Sequence, residues 1–280
     1  NLGIAFKSIG NNQEAINCYK KIIQLKPNHP LAYYNFAIAL KELGEELQAI
    51  SYYEKAIEIN PNYAEAYNNL GIAFKSIGNN QQAINCYKKT IQLKPNHPVA
   101  YYNFAIALKE LGEELQAITY YEKAIEINPN YADAYNNLGN CYKDFGDFQK
   151  AINCYEQAIK FKKSNLAYFY TLSDLKKEVL NPNLRNNIEK IIENKHATKH
   201  NLAYGNYLLA RYERSINNYE KELNYLIKGH LFYFENKIFL YTKQMQYWFE
   251  VLPNINRLIN FDKAKKTINN HEIKPIFIVG

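Results

Sequence analysis

A period of 34 residues runs through the first part of the chain and leaves little choice of fold. Prolines recur at Pro27, Pro61, Pro95 and Pro129, glycines at Gly10, Gly44, Gly78, Gly112 and Gly146, and alanines at Ala15, Ala49, Ala83, Ala117 and Ala151. A fixed spacing of this length denotes stacked supersecondary units rather than one globular core. The clearest unit is Ala64 to His97, AEAYNNLGIAFKSIGNNQQAINCYKKTIQLKPNH. With Ala64 as position 1, apolar or aromatic residues fall at positions 4, 7, 11 and 24. Small residues fall at 8 and 20, glycine at 15 and proline at 32.

At ~100° per residue, positions 4, 7, 8 and 11 share one arc of a helix, occupied here by Tyr67, Leu70, Gly71 and Phe74. Small residues at 8 and 20 let two helices approach closely. Glycine at 15 suits a left-handed residue that ends the first helix, and proline at 32 stops the second. Each unit is thus a helix pair that must stack on its neighbours to bury its apolar face. The pattern, returning five times in register, resembles the tetratricopeptide repeat. The resemblance implies an all-α, right-handed superhelical solenoid over residues 1–165, with the first repeat truncated because Asn1 is already position 6.

The composition is that of a folded soluble protein: 280 residues, 47% hydrophobic and 22% charged. No uncharged apolar run is long enough to span a membrane, and no signal peptide opens the chain. A cytoplasmic, bacterial protein is expected. Cys18, Cys86 and Cys154 share position 23 two repeats apart, too distant for disulfides. Cys141 stands close enough in the pattern to approach Cys154, and the pair reads as buried thiols. The net charge of +7 is uneven: residues 1–165 carry 17 basic and 16 acidic side chains, residues 166–280 carry 17 and 11. The array lacks a basic stripe and its aromatics serve packing, so no nucleic-acid partner is expected.

Residues 1–71 and 69–139 are nearly identical copies, displaced from each other by two repeats, so the array grew by duplicating a two-repeat block. A fifth unit covers 132–165, with Lys163 in place of the proline. Beyond it the register fades into a degenerate helical region over 166–261. LAYFYTLSDLKKEVL reads as one helix, Asn181-Pro182-Asn183 as a break, LRNNIEKIIENK as a second helix, and 201–226 as a degenerate helix pair. Residues 229–261, with Trp248, read as one or two packing helices separated near Pro253. A polar linker spans 262–274, and Pro275 to Gly280 (PIFIVG) reads as a β-strand entering a phosphate-binding loop.

Repeats, degenerate region, linker and terminal strand together resemble bacterial sulfotransferases with an N-terminal tetratricopeptide array. The resemblance implies a donor, 3′-phosphoadenosine 5′-phosphosulfate, held by a loop of which Gly280 would be the first residue. The catalytic machinery would lie beyond this chain, and no catalytic residue or cofactor is expected within it. Two alternatives stand beside this one: a free-standing protein-interaction scaffold, and the array of a glycosyltransferase of the O-linked N-acetylglucosamine transferase type.

The arc opposite the core holds positions 2, 5, 6, 9, 12 and 13, which in the tetratricopeptide family line the concave groove. Position 6 is Asn in every unit (Asn1, Asn35, Asn69, Asn103, Asn137) and position 12 is Lys (Lys7, Lys41, Lys75, Lys109, Lys143). An amide both donates and accepts, so an Asn row can hold an extended peptide backbone, similar to the ladder of the O-linked N-acetylglucosamine transferase array. Tyr34 and Tyr102 at position 5 add aromatic contact area. Lys41, Lys75, Lys109 and Lys143 join the candidate groove, although Glu42, Glu110 and Asp144 follow three of them and offset the charge. The alternative is that the asparagines bridge neighbouring helices and were copied by duplication. His196 and His200 have a metal-compatible spacing but no acidic companion, so no metal site is expected. His29 and His97 read as solvated residues of the inter-repeat turns.

Overall fold

The five glycines at position 15 all adopt positive φ, between 75° at Gly10 and 81° at Gly44. This left-handed conformation is one that a Cβ disfavours by about 1–2 kcal/mol, so glycine ends the first helix of each unit. The next residue then starts the second helix. Asn11, Asn79 and Asp147 cap it, each accepting from the N–H three residues on at 3.2 Å.

The computed structural model describes residues 5–6 and 10–235. All regular structure among the described residues is helical. After a helical trace at residues 5–6, the first unit contributes α1 (Asn12–Leu25). Four helix pairs follow: α2 (Pro30–Glu42) with α3 (Glu46–Ile59), α4 (Ala64–Ser76) with α5 (Asn80–Leu93), α6 (Pro98–Glu110) with α7 (Glu114–Ile127), and α8 (Ala132–Asp144) with α9 (Phe148–Phe161). The second helices end two residues before the proline, and the intervening residue has left helical geometry, with φ −139° and ψ 80° at Lys26. Where Lys163 replaces the proline, α9 still stops at Phe161, with Lys162 at φ −142° and ψ 70°. Proline is therefore not what sets the stop in the last unit.

Each helix packs on its partner, and each second helix on the first helix of the next unit. Tyr19, Tyr53, Tyr87, Tyr121 and Tyr155, all at position 24, are fully buried. Two of them lie over the glycine at position 8: a Cβ on Gly71 would come within 2.6 Å of the Tyr87 ring, and one on Gly139 within 2.6 Å of the Tyr155 ring. One cluster joins Tyr19, Phe36, Tyr53, Leu70 and Cys86 from three successive units, so no unit buries its apolar face alone.

The chain divides into two units at Lys163–Ser164. In the second, the expected single helix at 166–180 is two elements: α10 (Leu166–Leu175), then a 3-10 turn at Lys177–Val179. Asn181 caps α11 (Pro182–Ile192) at the Leu184 N–H, 3.0 Å, so the proline there opens a helix as well as breaking one. The expected helix pair at 201–226 is longer at both ends, α12 (Lys199–Ser215) and α13 (Tyr219–Glu235). Asn217, at φ 60°, takes the role of the glycine between them. Leu166, Leu184, Ile188, Leu208 and Leu209 form the core of this unit. The linker at 262–274, Trp248, the strand at 275–280 and Gly280 all lie outside the described residues, as do Asn1 and Lys7. No described helix is long and apolar enough to cross a membrane.

Candidate functional site: a row of amides tied repeat to repeat

Helices α2, α4, α6 and α8 carry Asn35, Asn69, Asn103 and Asn137, all half-buried. Three of them bond across the repeat boundary. Asn69 Nδ2 donates to the Tyr34 hydroxyl at 2.9 Å, Asn103 Nδ2 to Asn68 Oδ1 at 3.3 Å, and Asn137 Nδ2 to the Tyr102 hydroxyl at 3.1 Å. Each bond runs from position 6 of one unit to position 5 of the unit before. Asn68 Nδ2 in turn donates to Asn69 Oδ1 at 3.4 Å. The bridging role is therefore real for three asparagines, and it takes one donor from each. Asn35 shows no such bond among the described residues.

The lysines follow the same rule two turns along. Lys75 pairs with Glu110 at 3.0 Å and Lys109 with Asp144 at 2.6 Å, position 12 to position 13 of the next unit. The carboxylate that offsets Lys109 is thus Asp144, not the adjacent Glu110. Successive residues on one helix do not face each other, whereas like arcs on neighbouring first helices do. Lys41 and Lys143 occupy the same arc and are also half-buried.

Tyr34 packs against Tyr63 and Tyr53, with ring centroids 5.0 and 5.9 Å away. Tyr102 repeats this with Tyr131 and Tyr121 at 4.9 and 5.9 Å. Burial raises the Tyr34 phenol above its ordinary value and pushes Tyr102 up to about 12, so both stay neutral and hydrogen-bonding. These tyrosines do more than add contact area: they orient the amides.

Asn140 is not singled out by the repeat pattern, although a signal exists. Position 9 is Ile in the other four units (Ile4, Ile38, Ile72, Ile106) and Asn only here. The buried Tyr155 hydroxyl donates to Asn140 Oδ1 at 2.8 Å, while the hydroxyls of Tyr19, Tyr53 and Tyr87 have no partner among the described residues. Ile106, Lys109, Glu110, Tyr121, Asn137 and Asn140 line a hollow of about 380 Å³. It brings together two of the sequence-selected residues, Lys109 and Asn137.

His29 and His97 are half-buried rather than solvated. Each caps a first helix, Nδ1 accepting from the Ala32 N–H at 3.3 Å and the Ala100 N–H at 3.1 Å. All four cysteines are free thiols, three of them buried. Burial pushes Cys86 up to about 12 and Cys154 up to about 11, which suits small packing groups rather than metal ligands. His196 and His200 are exposed, and no metal-holding cluster of three or more His, Cys, Asp or Glu occurs among the described residues.

The family profile of the tetratricopeptide repeat matches residues 31–96 and 96–164, and a second profile of the same repeat matches residues 3–44. No curated protein matches this chain. Among solved structures, MamA is 28% identical, with a TM-score of 0.55 over 58% of this chain and 95% of that one. PilF of Pseudomonas aeruginosa is 17% identical, with a TM-score of 0.57 over 85% and 94%. YrrB, described as a repeat protein with an unusual peptide-binding site, is 19% identical, with a TM-score of 0.51 over 74% and 96%. At those identities, PilF and YrrB share the fold alone.

Proposed function

The chain belongs to the tetratricopeptide-repeat family, and on that footing we propose that its first unit is a scaffold that binds an extended peptide or protein segment along the amide face. The observation that carries this reading is the row Asn35, Asn69, Asn103 and Asn137, one amide per first helix. Each carboxamide has two donors and an oxygen with two lone pairs. A cross-repeat bond takes one donor and fixes the orientation of the group. The remaining capacity suits a strand whose N–H and C=O groups alternate along it. Backbone contacts of this kind hold a segment with little regard to its side chains.

The test uses the whole chain as bait and measures affinity for a recovered segment. Asn35→Ala is the informative substitution, because no described hydrogen bond ties Asn35 to a neighbouring repeat. Binding should weaken by roughly two- to tenfold for one lost contact with an unchanged melting temperature. Wild-type affinity in Asn35→Ala, and again in Asn35→Ala combined with Asn103→Ala, would remove the reading.

A sulfotransferase reading, with 3′-phosphoadenosine 5′-phosphosulfate as donor, is supported by the apolar run Pro275 to Gly280. None of the described residues would hold that donor. Retention of the full open-reading-frame product on immobilised adenosine 3′,5′-bisphosphate tests it; failure to bind would remove it.

A further inference from the structure

We propose that the hollow between the fourth and fifth repeats is an anchoring subsite that reads a carboxamide, the side chain of an Asn or Gln on the bound segment. The inference rests on the peptide-binding reading above and adds where the segment is gripped and by what chemistry.

The groups that line the hollow decide what it accepts. Its two charges are already neutralised, Lys109 by Asp144 at 2.6 Å and Glu110 by Lys75 at 3.0 Å. A charged ligand group would have to break one of these pairs to gain its own. Asn140 turns its oxygen to Tyr155, at 2.8 Å, which leaves its Nδ2 as a donor. Asn137 turns its Nδ2 to Tyr102, at 3.1 Å, and its side chain also hydrogen-bonds with Tyr121; a carboxamide oxygen has two lone pairs, so Oδ1 keeps accepting capacity. The two residues are three apart on α8 and share a face. One oriented donor beside one oriented acceptor matches a carboxamide, whose C=O meets Asn140 Nδ2 and whose N–H meets Asn137 Oδ1. Ile106 and the Tyr121 ring supply apolar walls for the methylenes. An apolar side chain placed there would cover both amides and satisfy neither.

The duplication supplies an internal comparison. Between the second and third repeats the matching residues are Ile38, Lys41, Glu42, Tyr53 and Asn69, and only Asn140 is changed, to Ile72. A framework role for Asn140 is weak, because Tyr53 and Tyr87 are fully buried without any described partner for their hydroxyls. The departure from Ile thus introduces a donor that the repeat does not need.

Two capped alanine heptapeptides, one with a central glutamine and one with a central leucine, are titrated into the full chain. The readout is the side-chain amide signals of Asn137 and Asn140 by nuclear magnetic resonance. The glutamine peptide should bind roughly tenfold more tightly, the effect of about two hydrogen bonds, and should shift both amides. Asn140→Ile installs the residue of the other four units, and should abolish the preference while the thermal melt is retained. Ile72→Asn in the other copy should create a second site with the same preference, which keeps the idea testable if Asn140→Ile misfolds. Equal affinity for the two peptides, or a preference that survives Asn140→Ile, would overturn the subsite and leave the peptide-binding face standing. Absence of binding by either peptide at millimolar concentration would remove both.

Discussion

Asn69 Nδ2 lies 2.9 Å from the Tyr34 hydroxyl, and two repeats further on Asn137 and Tyr102 reproduce the pair at 3.1 Å. The duplicated block thus carries a bond between repeats as well as the repeats themselves. Tyr34→Phe removes the acceptor and keeps the ring on Tyr63. The expected loss is about 0.5–1.5 kcal/mol, and Tyr102→Phe should lose the same amount within error. Urea unfolding of the two variants checks this; a large difference between them would show that the copies are not energetically equivalent.

Gly71 meets Tyr87 more closely than any side chain allows. A methyl at Gly71 would sit 2.6 Å from the ring, so Gly71→Ala must displace a fully buried tyrosine. The cost should be about 1–3 kcal/mol, as for other overpacked cores. An unfolding midpoint equal to that of the parent chain would contradict the packing.

His97 is held below its ordinary pKa, first by burial and then by the Lys94 charge, against smaller opposing pulls from a backbone hydrogen bond and from Glu65. Its neutral Nδ1 accepts the Ala100 N–H at 3.1 Å, a cap that protonation destroys. The folded state therefore binds the proton less readily than the unfolded chain. That stability is present above the unfolded value and is lost as pH falls through the folded one. From pH 7 to pH 5, the protection of the first amides of α6, referred to the intrinsic exchange rate at each pH, should fall. His97→Asn, a cap that does not titrate, should abolish that dependence; an unchanged pH profile in the variant would argue against the cap.

Among the described residues of the second unit, Arg211 is held by four contacts. Its guanidinium lies 3.6 Å from the Tyr170 ring centroid, donates to the Tyr170 carbonyl at 2.8 Å and Ser173 Oγ at 2.6 Å, and pairs with Asp174 at 2.7 Å. A lysine keeps the charge but not the planar fork. Arg211→Lys should destabilise this unit by about 1–3 kcal/mol, and Arg211→Met by at least as much. Thermal melts that do not move in Arg211→Lys would show that the charge alone suffices.

The left-handed glycines, the helix ends and the tyrosines over position 8 are legible in the residues, because each is a local requirement. A Cβ is disfavoured at positive φ, a residue before proline leaves the helix, and a small residue must face a large one. The sequence also shows which positions recur, and so which asparagines form a row. It does not show that Asn69 reaches Tyr34, that Lys109 pairs with Asp144, or that His29 and His97 cap helices. Nor does the pattern single out Asn140, a lone departure whose value depends on Tyr155 and Asn137. In the second unit no period survives, so the outer ends of α12 and α13 are not marked in the sequence, and no glycine marks the turn that Asn217 makes. The period states that one unit follows another at a fixed interval along the chain. The angle at which successive first helices lie, and hence which arc of one meets which arc of the next, comes from side chains of several units packing together.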